Sequence, residues 1–320
     1  MTIPQAAATW FHMSGNKYGA TLTEVFSNAA RRFDGMSAFC RKDSGGVFQP
    51  TSFRELYEKG LDLATALIDL GVAAREHVAI IADNRLEWII CDYGILLAGA
   101  ADVPRGTDIT DGEMEYILSH SDARVVFAEN ASILRRVLAL RPKLPNIAEI
   151  IVMAPGVEAP EGVRHLENLL ADGAARRAAG IQTATERARA VRPDDLFTII
   201  YTSGTTGTPK GVQLTHANMC SQIENLPLEL RPGDRALAIL PIWHSYERVF
   251  EMLCVSRGVA THYTTLRSVA EDLKTVKPTV MASAPRLWEN LYLKILSNVK
   301  SVPPLRRALF HLAYGATRNV

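Results

Sequence analysis

Residues 201–212 read Tyr-Thr-Ser-Gly-Thr-Thr-Gly-Thr-Pro-Lys-Gly-Val, and an apolar run stands on each side. The preceding run, Leu196–Ile200, is typical of a buried strand, and Val212–Thr215 could form another. Between them, glycines allow close backbone approach and positive φ, while successive N–H groups and hydroxyls can cradle phosphate oxygens. Lys210, behind Pro209, adds a compact charge that can reach a terminal phosphate. We therefore predict a phosphate-binding loop rather than a flexible Gly/Ser/Thr connector.

This loop does not follow the pattern of the P-loop NTPases. Their G-x-x-x-x-G-K-[ST] pattern needs a glycine directly before the lysine and a hydroxyl residue after it. Here Pro209 precedes Lys210, and Gly211 follows it. The residues themselves therefore exclude that class of nucleotide site.

The composition is that of an ordinary globular protein. Its 320 residues include 35 Lys and Arg against 34 Asp and Glu, and 48% are hydrophobic. This charge balance creates no field that would gather polyanions, so we expect no nucleic-acid partner. No C-x-x-C pair occurs, which favours free buried thiols in a reducing cytosol at Cys40, Cys91, Cys220 and Cys254.

No membrane span or leader is predicted. The N-terminus has no basic region followed by an apolar core, so the sequence indicates no signal peptide. The most apolar stretch, Trp88–Val103, is interrupted by Asp92 and Asp102 and is too short to cross a bilayer. We therefore expect a cytoplasmic protein.

Strand and helix patterns alternate along the chain. Val78–Ala82 is an apolar run typical of a strand, and the next segment places apolar residues on one helical face until Gly99. The same rhythm continues after the loop, with strands at Arg235–Leu240 and Thr279–Ser283. Alternation over such lengths is typical of βαβ units. We therefore predict an α/β fold with two doubly wound, mostly parallel sheets that carry helices on both faces.

We predict three divisions along the chain. Residues 1–51 form an N-terminal lead-in and a hairpin, and residues 1–36 of it are expected to pack loosely, with one short helical pattern near Leu22–Phe33. Residues 52–190 form a first α/β subdomain, and residues 191–320 form a second one that carries the phosphate-binding loop. The boundary is placed in Thr183–Pro193 because this segment is polar and has no apolar period.

The segment 201–212 resembles, throughout its length, the signature of the AMP-forming adenylating enzymes. This superfamily includes acyl-CoA synthetases, luciferases and the adenylation domains of peptide synthetases. Two further segments, Pro241–Arg248 and Ser283–Glu289, resemble its long-chain fatty acyl-CoA synthetase branch. The likeness begins at about Ser52 and implies an incomplete N-terminal domain of the acyl-CoA synthetase/luciferase type.

The resemblance implies a two-step ligase reaction. A fatty acid carboxylate attacks the α-phosphate of ATP to give an acyl-adenylate and pyrophosphate, and the thiol of coenzyme A then displaces AMP. Mg²⁺ is the implied metal. The implied partners are a fatty acid, ATP and coenzyme A, and a fatty substrate could also draw the protein into peripheral membrane contact.

The resemblance also implies roles for individual residues. The β- and γ-phosphates of ATP would be held by the loop and its lysine, namely Thr202, Ser203, Gly204, Thr205, Thr206, Gly207 and Lys210. Thr205 could also contact Mg²⁺, although magnesium usually keeps several waters and takes few protein ligands. Lys210 and His244 are the residues expected to be catalytic.

His244 follows the predicted strand Arg235–Leu240, and ligands in open α/β sheets bind at the carboxyl ends of strands. The resemblance places this histidine near the substrate carboxylate and the α-phosphate. It also places Trp243 along or across the acyl path, with Tyr246 as a further substrate-binding candidate. The alternative is a histidine that caps a helix beside a core tryptophan.

Other polar residues are assigned structural roles. Glu247 and Arg248 are expected in a solvated or ion-paired helix turn, and Asp83-Asn84 is expected to cap a helix. Six further histidines share no metal-ligand spacing, so surface or core positions are expected for His12, His77, His120, His165, His262 and His311.

Compared with the family's pattern, the sequence stops at Val320, before the motifs for adenine, ribose and the hinge and before the small C-terminal domain. We therefore expect a truncated N-terminal portion that does not turn over alone, and acyl-CoA formation by this chain would contradict that expectation. Three alternatives stay open. They are a ligase that transfers the acyl group to acyl carrier protein, a ligase for aryl or short acids, and a truncated, non-catalytic nucleotide-binding protein.

Overall fold

The computed structural model describes residues 17–202 and 208–317. Its α-helices are α1 (Leu22–Arg32), α2 (Phe53–Asp69), α3 (Leu86–Leu97), α4 (Asp111–His120), α5 (Ala131–Leu140), α6 (Leu166–Ala178), α7 (Thr183–Ala190), α8 (His216–Asn225), α9 (Ser245–Arg257), α10 (Val269–Val276), α11 (Pro285–Lys300) and α12 (Pro304–Thr317). Its strands are β1 (Ser37–Lys42), β2 (Phe48–Ser52), β3 (His77–Ile81), β4 (Ala101–Arg105), β5 (Ala123–Ala128), β6 (Glu149–Val152), β7 (Val163–His165), β8 (Leu196–Thr202), β9 (Lys210–Thr215), β10 (Arg235–Ala238) and β11 (Ala260–Tyr263). None of these described helices is long and apolar enough to cross a membrane.

The described strands form two sheets. One has seven strands in the order β7-β6-β5-β3-β4-β8-β9, and the other has four in the order β10-β11-β1-β2. Neighbouring strands run parallel except in the pairs β1–β2 and β8–β9. The predicted α/β fold with two mostly parallel sheets is confirmed, as is the hairpin that precedes α2.

The seven-stranded sheet is buried on both faces. Val78 and Ile80 of β3 pack into an apolar cluster with residues of α2 and α3. The alternate residues, Ala79 and Ile81, pack into a second cluster with residues of α4 and α5. Successive side chains of a strand point to opposite faces, so helices cover both faces of this sheet, as predicted.

The N-terminal segment packs more tightly than predicted. α1 begins at a cap formed by the Thr21 hydroxyl and buries Leu22 and Phe26 almost completely. The Phe26 ring stacks on the Tyr93 ring of α3, with 3.6 Å between the ring centroids. The expectation of a loose lead-in is wrong for this helix because its apolar face completes the cluster around α3.

The polar segment expected to separate two subdomains contains a helix instead. α7 buries Ala184 and Ala188, which lie one turn apart, against α2 and α3. Arg187 between them donates to the carbonyl oxygens of Val72 and Ala98, at 3.4 and 3.2 Å. Two alanines make a face too small to stand out as an apolar period. The division between the sheets also differs from the predicted one, since β8 joins the seven-stranded sheet while β1 and β2 join the other.

The strand predicted at Thr279–Ser283 is wrong. A single bridge forms there, between Ala236 of β10 and Val280, and the Leu237 N–H donates to Val280 O at 3.3 Å. β10 is four residues long and offers little edge for further pairing. α11 and α12 follow in a separate compact unit, Ala282–Val320.

Candidate functional site

A cavity of about 350 Å³ opens where strand ends from both sheets meet. The carboxyl end of β4 contributes Arg105, and the carboxyl end of β8 contributes Tyr201 and Thr202. The turn between β10 and α9 contributes Trp243 and His244. Ligands of open α/β sheets bind at the carboxyl ends of strands, so this position favours a binding site.

The structure brings three of the predicted site residues to this cavity and places the lysine on the neighbouring strand. Thr202, Trp243 and His244 line the cavity. Lys210 begins β9 and pairs in antiparallel register with Thr202, and its side chain is exposed. The other predicted loop residues lie outside the described part of the chain: Ser203, Gly204, Thr205, Thr206 and Gly207.

His244 is the N-cap of α9, as the alternative interpretation predicts. Its Nδ1 accepts a hydrogen bond from the Tyr246 N–H at 3.4 Å. A neutral imidazole that accepts at Nδ1 carries its proton on Nε2, and the His244 side chain is exposed. Capping and ligand binding are therefore compatible. The Tyr246 side chain is 54% exposed and does not line the cavity formed by the described residues.

The Trp243 ring lies directly over the Gly106 backbone, just after β4. A Cβ on Gly106 would stand 2.2 Å from Trp243 Cζ2, so only glycine leaves room for the ring. Asn84 holds the turn that carries this tryptophan. Its Oδ1 accepts from the Ile242 N–H at 2.9 Å, and its Nδ2 donates to Leu240 O at 2.7 Å.

The prediction that Asp83-Asn84 caps a helix is therefore wrong. Arg85 occupies the N-cap position of α3. Asp83 accepts hydrogen bonds from the N–H and the hydroxyl of Thr107, at 3.1 and 2.6 Å. The pair thus ties together the loops after β3, β4 and β10. The signal for this role is two polar residues placed directly after a buried strand.

Arg105 and Glu113 form a charged part of the cavity wall that the sequence analysis missed. Arg105 Nη2 lies 4.0 Å from Glu113 Oε1. Hydrogen bonds from the N–H and the hydroxyl of Thr110 hold the pKa of Glu113 below its usual value, because they favour the ionised carboxylate. That carboxylate already completes the capping box of α4. Arg105 can therefore direct its charge to a ligand.

Tyr201, the first residue of the signature segment, fixes β8 to α4. Its hydroxyl oxygen lies 2.7 Å from His120 Nδ1. Burial raises the pKa of Tyr201 to about 12, so the phenol keeps its proton and can donate to the imidazole. Tyr116 packs edge-on against the Tyr201 ring from the same helix.

Glu247 and Arg248 are fully buried, so the expectation of a solvated turn is wrong. The ion-paired alternative is confirmed for Arg248, whose Nη2 lies 2.6 Å from Asp92 Oδ1 and whose Nη1 lies 2.7 Å from Asp102 Oδ2. Burial raises the pKa of Glu247 to about 8. In the sequence, this buried pairing is indicated by two aspartates, Asp92 and Asp102, within an apolar stretch, because an unpaired buried charge is costly.

No group of three or more potential metal ligands occurs among the described residues. His216 is buried, and its Nδ1 accepts from the Leu22 N–H at 3.2 Å. Burial lowers the pKa of His216 to about 4, so this histidine is neutral. The Nδ1 atoms of His77 and His262 donate to backbone carbonyl oxygens. His12 lies outside the described residues.

The sequence matches one family profile over most of its length. The profile of the AMP-binding enzymes covers residues 26–317. The chain belongs to the AMP-binding enzyme family. The resemblance of its signature segment to the AMP-forming adenylating enzymes is thereby confirmed, and the matched region contains every residue that lines the cavity.

Two curated relatives carry names of fatty acid ligases. The chain is 32% identical over 269 residues to a chloroplastic long-chain-fatty-acid–[acyl-carrier-protein] ligase of Arabidopsis thaliana, covering 81% of this chain and 37% of the relative. It is 34% identical over 252 residues to the long-chain-fatty-acid–CoA ligase FadD15 of Mycobacterium tuberculosis, covering 77% and 41%. The chain thus spans less than half the length of these relatives.

Solved structures confirm the fold of this AMP-binding enzyme. An anthranilate CoA ligase in complex with anthranoyl-AMP superposes with a TM-score of 0.74 at 23% identity, covering 84% of this chain and 50% of that one. The N-terminal domain of FACL13 from Mycobacterium tuberculosis superposes with a TM-score of 0.65 at 22% identity, covering 88% and 65%.

The cavity wall and the neighbouring strand carry groups that can bind an anion. Arg105 in the wall and Lys210 on the neighbouring strand supply positive charge, and Thr202 supplies a hydroxyl.

Proposed function

We propose that this chain forms the phosphate site and part of the acyl site of an ATP-dependent, AMP-forming fatty acid ligase. The enzyme would convert a long-chain fatty acid to an acyl-adenylate and pass the acyl group to coenzyme A. The observation that supports this most is one cavity shared by Thr202, beside the signature loop, and the Trp243-His244 pair. Such a ligase must bring the phosphate end of one substrate and the carboxylate of the other to one point.

The first step is a displacement at phosphorus. A carboxylate oxygen forms a bond to the α-phosphorus, the bond from the α-phosphorus to the bridging oxygen breaks, and pyrophosphate leaves with the bonding electrons. The protein contributes positioning and charge neutralisation to such a step. We assign the β- and γ-phosphates to Thr202, the loop residues Ser203–Gly207 and Lys210, with Thr205 as the Mg²⁺ contact. The ion, when bound, neutralises phosphate charge.

His244 and Trp243 are assigned to the other end of the cavity. With its proton on Nε2, His244 would donate to an oxygen of the carboxylate or of the α-phosphate as charge moves there. Trp243, packed on Gly106, would line the acyl path, and Tyr246 would contact the substrate further out. Arg105 would attract the carboxylate of the fatty acid.

The thiol acceptor is proposed to be coenzyme A, with acyl carrier protein as the alternative. The relative from Mycobacterium tuberculosis is named a CoA ligase, and the relative from Arabidopsis thaliana is named an acyl-carrier-protein ligase. Each thiol can be added separately to enzyme that holds preformed acyl-adenylate, and the thioester yield measured. A faster reaction with coenzyme A supports the first acceptor, and a faster reaction with acyl carrier protein supports the second.

We propose a cytoplasmic location with peripheral membrane contact. The hydrocarbon tail of a long fatty acid partitions into bilayers, so this substrate concentrates at a membrane surface. Co-sedimentation with phosphatidylcholine vesicles that contain palmitate tests this contact, and recovery of all protein in the supernatant would contradict it.

ATP–pyrophosphate exchange tests the ligase proposal. It is measured on a full-length version, meaning a protein that contains this chain and spans the length of the curated relatives, because this chain spans 37% and 41% of them. We expect exchange that depends on palmitate and is much slower with butyrate or benzoate. Faster exchange with either of those acids would favour the short-acid or aryl ligase. ATP binding without exchange with any acid would support the non-catalytic nucleotide-binding protein.

A further inference from the structure

One of the largest fully buried side chains is charged. The guanidinium of Arg248 pairs with Asp92 at 2.6 Å and with Asp102 at 2.7 Å, and the three side chains are at most 1% exposed. Burial raises the pKa of Asp92 well above its usual value. Burial and the neighbouring Asp102 carboxylate therefore oppose a second negative charge beside the one guanidinium.

Side chains from three elements, α3, β4 and β8, surround this guanidinium, which α9 carries. α3 supplies the aspartate that binds Nη2, and β4 supplies Asp102. β8 supplies Thr198, whose hydroxyl donates to Asp102 Oδ1 and accepts from Arg248 Nη1 at 3.1 Å. The rings of Trp88 and Phe197 lie with their centroids 5.2 and 5.1 Å from the guanidinium carbon. Ion pairs, hydrogen bonds and aromatic faces therefore hold the cluster together.

Three of the four elements end at the cavity. β4 reaches the cavity wall at Arg105, three residues after Asp102, and β8 reaches it at Ile200, two residues after Thr198. At about 3.3 Å per strand residue, the cluster lies about 7–10 Å behind the wall. On α9, the Arg248 N–H donates to His244 O at 3.1 Å, so these two residues lie one helical turn apart.

The cluster also joins elements that belong to different sheets. β4 and β8 pair in the seven-stranded sheet, with Asp102 opposite Thr198, and these are two of the residues that Arg248 contacts. α9 instead packs against β10 and β11 of the four-stranded sheet. The guanidinium therefore connects α9, which His244 caps, to the two strands that lead to Arg105 and Thr202.

We propose that Arg248 is a positioning residue, which fixes the first turn of α9, and with it His244, against the carboxyl ends of β4 and β8. The inference rests on the proposed function, because it assumes that His244 contacts the reacting groups. A buried ion pair is weak evidence for a role in stability, since well-packed apolar replacements of a whole pair are often neutral or stabilising. Geometry is the stronger reason, because a displacement of about 1 Å in a site can cost about 10²-fold in rate.

A double-mutant cycle in ATP–pyrophosphate exchange tests this role in the full-length version. Arg248→Met should lower kcat/KM by about 10²-fold. In a His244→Ala background the same substitution should lower kcat/KM by less than about threefold, because the group that Arg248 positions is gone. Equal losses in the two backgrounds would overturn the proposal, since an arginine with a merely structural role acts in both.

Arg257, near the far end of α9, provides a matched control. Its guanidinium carbon lies 3.7 Å from the centroid of the Tyr18 ring, and its Nη2 donates to Ile223 O at 3.0 Å. Arg257→Met removes a packed arginine from the same helix without touching the cluster, and we expect kcat/KM within about twofold of wild type. A loss as large as that of Arg248→Met would count against the proposal.

Two further comparisons keep the test decisive. If Arg248→Met does not fold, the isosteric Asp102→Asn replaces it in the cycle, with the same non-additive result expected. If the wild-type protein shows no exchange that depends on a fatty acid, the proposed function fails and this inference fails with it. Wild-type exchange together with an additive cycle overturns the positioning role alone.

Discussion

Two sets of polar residues lie on neighbouring parts of the same fold and differ in their surroundings. The surface set is exposed at or beside the cavity and comprises Thr202, Lys210, His244 and Tyr246. The buried set is fully excluded from solvent and comprises Asp92, Asp102, Thr198 and Arg248. An exposed charge costs little to hold, whereas a buried charge that loses its partner is costly. Substitutions in the surface set should therefore affect chemistry, and substitutions in the buried set should affect stability as well.

The largest effect on stability is expected at the centre of the buried set. Arg248→Met removes the cation and leaves Asp92 and Asp102 without their partner, which should lower the free energy of unfolding by about 3–5 kcal/mol. Urea unfolding followed by circular dichroism measures the loss. Adding Asp102→Asn to this variant should recover part of the stability, because one uncompensated charge is removed. If Arg248→Met alone lowers the free energy of unfolding by less than about 1 kcal/mol, the expected difference between the buried set and the surface set is contradicted.

A substitution at His216 tests whether one buried histidine makes the free energy of unfolding depend on pH. Its pKa is about 4 in the folded protein against 6.5 for the free group, so the unfolded chain binds the proton more tightly. The contribution of neutral His216 to the free energy of unfolding is fully present above pH 6.5. About 3 kcal/mol of stability is lost as the pH falls towards 4. His216→Asn should flatten the dependence of unfolding free energy on pH in this window. If the free energy of unfolding changes equally with pH in the wild-type and His216→Asn proteins, His216 is not the source of this pH dependence.

His244 should contribute little to stability and much to activity. His244→Ala removes the N-cap hydrogen bond of α9 and should lower the free energy of unfolding by about 0.5–1 kcal/mol. His244→Asn restores a capping oxygen without an imidazole, so stability should return to the wild-type value while ATP–pyrophosphate exchange stays low. Restored exchange in His244→Asn would show that the cap, and not the imidazole, matters.

The surface set was accessible from the sequence, and the buried set was not. A loop of glycines and hydroxyl residues between two apolar runs has a local pattern, and so has a strand followed by Trp243-His244. Arg248, by contrast, meets Asp102 and Asp92 across separations of 146 and 156 residues, which no local pattern reports. Two aspartates in an apolar stretch indicate that a buried partner is needed, but they do not identify it.

The helix α7 was missed for a different reason. Its buried face consists of Ala184 and Ala188, and alanine contributes too little apolar surface to mark a helix within a polar segment. The α/β class was predictable because the strands of a parallel sheet are apolar on both faces and alternate with amphipathic helices. The membership of β1, β2 and β8 in their sheets depends on long-range pairing, which the sequence does not report.

Lys210 gives the most direct test of the central claim, that exposed residues at these strand ends bind the phosphates of ATP. Lys210→Ala in the full-length version should lower ATP–pyrophosphate exchange by about 10²-fold or more, because it removes the charge that we propose to stabilise the leaving pyrophosphate. Its free energy of unfolding, measured on the same sample, should stay within about 0.5 kcal/mol of wild type. Exchange at the wild-type rate in a folded Lys210→Ala protein would contradict the account.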